Sequence, residues 1–95
     1  MIAAFVTFDS DDLVEERVRK VAAEARAMFE GMPGLRSKVF TLGETTGRVM
    51  NVYVWDSEDA AREFFSDELV ERVTGLYGVR PQLEFAEILE LVDNS

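Results

Sequence analysis

The chain has 95 residues, 47% of them apolar and 31% charged, a balance typical of one globular domain and too apolar for disorder. Its formal net charge of -9 repels phosphate backbones, so we expect no nucleic-acid partner. The chain contains no cysteine and no histidine. This excludes disulfides, thiolate catalysis and any nucleophile activated by an imidazole, and removes the usual general base and metal ligand.

The N-terminal segment Ile2–Phe8 is short, apolar and free of basic residues, which predicts a strand and not a signal peptide or a membrane span. We therefore expect a cytoplasmic protein with no membrane partner. The acidic run that follows predicts a helix start, and Asp12 and Glu15 have the spacing of a capping box. The helix itself is predicted by apolar residues at steps of three and four, namely Val14, Val18, Val21, Ala22, Ala25, Met28 and Phe29.

The next segment is predicted to be a strand, Leu35–Leu42, which begins after the helix is stopped by two glycines and a proline at 31–34. Strict alternation assigns its residues to two faces, one with Leu35, Ser37, Val39 and Thr41 and the other with Arg36, Lys38, Phe40 and Leu42. The loop at 43–47 contains two glycines and has the length of a hairpin connection. It predicts antiparallel pairing with the strand that follows.

The most strand-like stretch of the chain is Arg48–Trp55. Alternation places Val49, Asn51, Tyr53 and Trp55 on one face and Met50, Val52 and Val54 on the other. Both faces are mostly apolar, which predicts an inner strand that is covered on both sides. Asn51 breaks this pattern, because a buried amide needs several hydrogen-bond partners.

Two helices are predicted next. Ser57 is a good N-cap for the first, whose inward residues would be Ala60, Ala61, Phe64 and Phe65. The second covers Asp67–Leu76, with Leu69, Val70 and Val73 inward and an end at Gly75 or Gly78.

The last segment, Gln82–Val92, is predicted to be a strand, because Pro81 precedes it and Leu83, Phe85, Leu89 and Leu91 share one strand face. A helix is the alternative, since Glu84, Glu87 and Glu90 recur every three residues. On a strand these carboxylates alternate between faces and cannot converge on one ion. We assign no metal.

The predicted order β-α-β-β-α-(α)-β is that of a single ferredoxin-like α+β domain spanning residues 1–95, with helices on one face of a four-stranded antiparallel sheet. This arrangement leaves the second face of the sheet bare, although its strands carry apolar residues on both faces. A second copy of the chain would cover it. We expect a homodimer in which two sheets pack face to face into a barrel.

Several motifs resemble a known group of proteins over nearly the whole chain. They are Pro33-Gly-Leu35 with Lys38 and Phe40, then Val52-Tyr-Val-Trp55 followed by Ala60, Ala61 and Phe64, then Tyr77-Gly78, Pro81 and Val92-Asp-Asn94. The pattern is similar to the small dimeric α+β barrel proteins, and more narrowly to the YdhR-like monooxygenases, which are related to the antibiotic-biosynthesis monooxygenases. The resemblance implies one small-molecule pocket per subunit, between sheet and helices.

What the resemblance implies about chemistry centres on one strand. Cofactor-free members of the superfamily oxidise polycyclic phenols to quinones with dioxygen, and they place an Asn and a Trp four residues apart on the corresponding strand. Asn51 and Trp55 match this spacing. Haem-degrading relatives use a histidine ligand, so the lack of histidine sets that branch aside. We expect no cofactor.

The predicted function is therefore a cofactor-independent monooxygenase that acts on a planar phenolic small molecule. Asn51 and the Trp55 indole would serve as catalytic hydrogen-bond donors, and Tyr53, Phe64, Phe65 and Tyr77 would contact the substrate. Lys38 or Arg36, if turned inward, would lower the pKa of a bound phenol by placing a positive charge beside its anion.

Structural roles are open for each of these residues. The aromatic side chains are equally able to fill a core or a dimer interface, Asn51 to hold a neighbour or a water, and the two basic side chains to reach solvent or a carboxylate. Two other functions therefore stay open at this point. One is a non-catalytic dimeric barrel that binds a hydrophobic metabolite or serves in a stress response, and the other is a purely structural dimer with a filled pocket.

Overall fold

The computed structural model describes residues 1–9, 15–44 and 48–94. Within these residues the elements are β1 (Ile2–Phe8), α1 (Glu15–Phe29), β2 (Leu35–Leu42), β3 (Val49–Trp55), α2 (Glu58–Phe64), α3 (Asp67–Tyr77) and β4 (Gln82–Glu87). The strands of this described part form one antiparallel sheet in the order β2-β3-β1-β4. The predicted ferredoxin-like α+β fold is confirmed, with α3 as an additional helix before the last strand.

The two apolar strands β1 and β3 lie side by side at the centre of the sheet, as predicted. Their register pairs Val6 with Asn51 and Ala4 with Tyr53, so that alternate residues of both strands share one face. That face is buried under the helices and forms the core, with Ile2, Ala4, Val6, Phe8, Val49, Tyr53 and Trp55 as its sheet residues.

The N-cap of α2, the first residue of α3 and the end of α3 at Gly78, one of the two predicted glycines, agree with the sequence prediction. Ser57 Oγ accepts a hydrogen bond from the Ala60 amide at 3.1 Å, and Ser66 Oγ accepts one from Leu69 at 3.2 Å. Gly78 ends α3 in the left-handed region at φ 76°. Helix α2 buries Ala61 completely, while Phe64 and Phe65 pack half-buried against the core, so their predicted inward orientation is confirmed.

Helix α1 follows the predicted stripe only in part. Val18 is buried and Val21, Ala22, Ala25 and Phe29 are half-buried, but Met28 is 58% exposed. The reason is a cavity between α1 and the sheet, which Val21, Ala25 and Met28 line. The predicted capping box at Asp12, the stripe residue Val14 and part of the 43–47 loop lie outside the described residues. The predicted antiparallel pairing of β2 with β3 is confirmed.

Two predictions about strand geometry are wrong. Leu35 does not share a face with Ser37, because a β-bulge separates them and pairs Leu35 with Trp55 on the core side. The last strand is a strand, as predicted, but it ends at Glu87 and not at Val92. Glu87 pairs with Ile2, where β1 begins, and beyond this pair the Ile88 amide donates one long backbone hydrogen bond, 3.4 Å, to the Met1 carbonyl.

The opposite face of the sheet is apolar and open in the single chain. It carries Phe5, Val52 and Val54, together with Val39, which is 52% exposed, and Met50. The segment after β4 adds further exposed apolar side chains, including Leu89 at 82% exposure. None of the helices in the described residues has the length and apolar character needed to cross a membrane.

Candidate functional site

A cavity of about 70 Å³ lies between the core face of the sheet and the helices α1 and α3. Its volume is several times what one water molecule needs, and its wall is mostly aliphatic and aromatic. Of the predicted site residues, those on its wall are Lys38, Asn51, Tyr53, Phe64, Phe65 and Tyr77. The structure therefore brings residues from β2, β3, α2 and α3 to one partly open space.

Asn51 is the buried polar side chain of the cavity wall, with 3% of its surface exposed. Its position follows from the strand alternation, which turns it toward the helices between its cross-strand neighbours Val6 and Phe40. The Asn51 side chain hydrogen-bonds the Tyr77 hydroxyl in the sense that stabilises the phenolate, so the amide N–H is the donor. Its Oδ1 atom has no partner among the described residues. A buried carbonyl oxygen without a donor is a costly arrangement that a ligand hydroxyl would relieve.

Lys38 points into the site and not to solvent. Its Nζ donates a hydrogen bond to Tyr53 Oη at 2.7 Å, and it lies 3.5 Å from the ring centroid of Phe29, 4.2 Å from that of Phe40 and 4.3 Å from that of Tyr53. Burial lowers the pKa of Lys38 from 10.5 to about 7. The aromatic rings attract a cation, but they do not replace the water that the ammonium loses.

The two tyrosines are neutral acids at physiological pH. Burial raises the pKa of Tyr53, and the nearby Tyr77 raises it further. Burial also raises the pKa of Tyr77, against the opposing effect of the hydrogen bond from Asn51. Tyr77 packs on Phe8, with ring centroids 4.1 Å apart, which fixes its hydroxyl beside the Asn51 amide. Both hydroxyls are therefore proton-bearing groups in the cavity wall.

The structure does not bring Trp55 to the cavity wall. The indole is fully buried behind Tyr53, with which it stacks at an interplanar angle of 7° and a centroid distance of 6.1 Å. Its ring centroid lies 5.0 Å from that of Phe64, and its Nε1 has no acceptor within the described part of the chain. Trp55 therefore contacts the residues that line the cavity, and the predicted donor role at a substrate is not supported by this position.

Arg36 takes the alternative that the sequence left open. Its side chain is exposed and pairs with Asp56 at 3.5 Å, outside the cavity. Sequence reasoning did not assign Phe29 or Phe40 to the site, although both contact the Lys38 amine. Phe40 could have been predicted as a site residue, because it lies two residues from Lys38 on the same strand face. Phe29 comes from another element, and its approach depends on how α1 crosses β2.

A second hollow of about 220 Å³ adjoins the first and shares Phe40, Asn51 and Tyr77 with it. It is lined further by α1 and by the far ends of β2 and β3, including Val18, Ala22 and Leu42. The shared residues thus stand between two spaces.

Comparison with known proteins supports the fold assignment. No family model matches the sequence, and no curated protein matches it. The chain is similar to a monooxygenase from the gene ActVA-Orf6 of Streptomyces coelicolor, solved with nanaomycin D, at 25% identity and a TM-score of 0.72, covering 99% of this chain and 92% of that one.

Two further solved structures are similar at lower identity. SnoaB, a cofactor-independent oxygenase from Streptomyces nogalater solved as an asparagine-to-alanine variant, gives a TM-score of 0.70 at 16% identity over 96% of both chains. MhuD, solved with two manganese protoporphyrin IX molecules per active site, gives 0.75 at 14% identity over 99% of this chain and 100% of that one. The chain thus shares its fold with these solved structures.

Proposed function

We propose that this protein is a cofactor-independent monooxygenase that oxidises a planar phenolic molecule with dioxygen in the cavity at Asn51. The observation that carries the proposal is the unpartnered, buried Oδ1 of Asn51 in an apolar cavity that also holds the Lys38 amine. A phenol offers the matching chemistry, since it has an apolar ring for the wall and a hydroxyl for each polar group. The monooxygenase-like fold of the structural neighbours supports the same reaction class.

The reaction needs a phenolate, which passes one electron to dioxygen and then combines with it at a ring carbon. Loss of water from the resulting peroxide leaves a quinone, so that one oxygen atom of dioxygen enters the product and the other leaves as water. The chain's own residues would bind the ring, exclude bulk water and fix the hydroxyls. Phe64, Phe65 and Phe29 supply the walls, and the Asn51–Tyr77 pair provides hydrogen bonds where charge develops.

The proposal is tested by oxygen uptake with a panel of substituted phenols, hydroquinones and anthrones under air. We expect turnover above the buffer rate for at least one member, and we expect one labelled oxygen atom in a quinone formed from a phenol or an anthrone when the gas is ¹⁸O₂. No uptake across the panel would contradict the proposal. Thermal stabilisation by the same compounds without any product would instead favour a non-catalytic binding protein.

We also propose that the active form is a homodimer. The open sheet face with Phe5, Val39, Met50 and Val52 is a contiguous apolar surface of the kind that a second copy covers. Face-to-face packing would bury these side chains in a two-sheet barrel, as the sequence predicts. The YdhR-like subfamily, the cytoplasmic location and the single-domain organisation likewise stay predictions.

Dimerisation predicts a specific effect of charge at the sheet face. Val52→Glu would place two carboxylates in the symmetric apolar interface, so we expect light scattering to give a mass near 10.7 kDa for this variant and twice that for the wild type. Met28→Glu is the matched control, because it adds the same charge to an exposed residue of α1 and should stay dimeric. A wild-type protein that is monomeric at working concentration would remove the basis for the interface.

A further inference from the structure

Lys38 is unusual among the basic residues of this chain. The chain has two lysines, and the other, Lys20, lies exposed on α1. Among the described residues that line the cavity, Lys38 is the one with a basic side chain, and none is a carboxylate. The titratable groups that face its amine are the hydroxyls of Tyr53 and Tyr77, while α1 and α2 present apolar side chains there. No anionic partner in the described wall holds this amine in its charged form.

The contacts around the Lys38 amine fix its position and allow its protonation state to change. The hydrogen bond to Tyr53 Oη and the rings of Phe29 and Phe40 fix Nζ in place. The lowered pKa of Lys38, about 7, leaves a large fraction of the amine uncharged at neutral pH, with a free lone pair. An ammonium in the same position would be stabilised as soon as an anion enters the cavity beside it. At neutral pH the free site thus holds neutral and protonated amine in comparable amounts, and an occupied site favours the ion pair.

We propose that Lys38 is the proton acceptor that ionises the bound phenol. The lone pair of Nζ takes the proton of the phenol hydroxyl, so an N–H bond forms as the O–H bond breaks, and a phenolate remains beside an ammonium with no change in total charge. This inference rests on the proposed function in taking a phenol as the ligand. It goes beyond a fixed positive charge, because the amine enters the step neutral and leaves it protonated.

The position of Lys38 relative to Asn51 narrows the class of substrate. Lys38 pairs with Tyr53 across the β2–β3 ladder, and Asn51 pairs with Phe40, so the two polar groups stand diagonally on neighbouring strands of one face. A diagonal pair is separated by roughly 7 to 8 Å at its backbone positions. The amine and the unpartnered Oδ1 can therefore take two different hydroxyls of one ring system. The geometry favours a dihydroxylated aromatic over a simple phenol.

The test uses 4-nitrophenol, a phenol that ionises near neutral pH with a visible colour change and is a poor electron donor to dioxygen. Titration into the wild-type protein at pH 6 is expected to give the phenolate spectrum for the bound probe, although the free probe is mostly protonated there. The affinity of the protein for the probe should be highest near pH 7. It should fall by about tenfold or more at pH 9, where the Lys38 amine of the free protein is neutral. The spectrum of the bound probe is measured separately from turnover. The inference about Lys38 can therefore fail while the proposed function holds, and the proposed function can fail while the inference about Lys38 holds.

Two variants separate a proton acceptor from a fixed charge. In Lys38→Met the bound probe is expected to keep its neutral spectrum at pH 6. In Lys38→Arg the cation is permanent, so affinity should not fall between pH 7 and pH 9. Lys20→Met is the matched control and should behave like the wild type.

Four results would overturn the inference. They are a neutral spectrum for the probe on the wild type, no binding of the probe at millimolar concentration, a phenolate spectrum that survives in Lys38→Met, and a high-pH loss in Lys38→Arg equal to that of the wild type. Circular dichroism of each variant establishes that it is folded before its spectrum is interpreted.

Discussion

Replacing Asn51 by alanine is expected to lower the rate of oxygen consumption by about 100-fold while the protein stays folded. The substitution removes the Oδ1 acceptor from the cavity wall and also the N–H that bonds the Tyr77 hydroxyl. Both groups would act where the substrate's oxygens lie, so their loss weakens the transition state and not only binding. The loss should therefore appear in kcat more than in KM.

The stability of the same variant provides an internal control. In the unliganded protein Asn51 Oδ1 is buried without a partner, so alanine removes an unsatisfied group together with a hydrogen bond. We expect the free energy of unfolding to change by no more than about 1 kcal/mol. Asn51→Asp is the matched variant of equal size, and its carboxylate would repel a phenolate in the apolar cavity. Wild-type turnover in both folded variants would contradict the role that we propose for Asn51.

The fold could be predicted because its signals are local and repeated. Alternation in β1 and β3 places eight side chains on one face, and the observed register leaves that set unchanged. Ser57 and Gly78 mark helix ends through interactions within a few residues of themselves. Such features depend on the chain's own periodicity and capping chemistry, and they hold whatever the distant elements do.

The features that the sequence did not predict depend on contacts between distant elements. The bulge beside Leu35 changes the face of one residue, and alternation alone contains no signal for an extra residue in a strand. The end of β4 is set by where its partner β1 begins. The environment of Lys38 forms only when Phe29 of α1 packs against β2. The lowered pKa of Lys38 could therefore not be predicted from the residues adjacent to it in the sequence.

The site residues show the same division between features set by the local sequence and features set by contacts between distant elements. Alternation placed Asn51 and Tyr53 on one face of β3 in advance, but it left open whether Lys38 of β2 turns inward. The structure places all three on the cavity wall. Trp55 has the same alternation and lies on the same face, but it is covered by Tyr53 and α2 and is absent from the lining. Sharing a strand face is thus necessary for a place in the site but not sufficient, since the helices decide which part of that face stays open.

Replacing Trp55 by alanine is expected to destabilise the protein by about 3 to 5 kcal/mol, a large share of the stability of a small domain. The indole is 1% exposed and packs against Tyr53, Phe64 and Phe65, so its removal leaves a hole in the aromatic cluster. Trp55→Phe should lose less, because it keeps a ring and removes the Nε1–H that has no acceptor among the described residues. Urea denaturation of both variants measures these losses.

Turnover of the Trp55 variants decides between a packing role and a catalytic one. If the indole only supports Tyr53, Trp55→Phe should retain oxygen consumption within a few-fold of the wild type at temperatures where it is folded, in contrast to Asn51→Ala. If Trp55→Phe is folded and yet loses activity as Asn51→Ala does, then the indole N–H acts on the substrate, as the strand spacing of Asn51 and Trp55 predicts. That result would require Tyr53 to move aside on binding, because its ring now stacks beside the indole at 6.1 Å. The unpartnered Nε1 would then have its acceptor in the ligand.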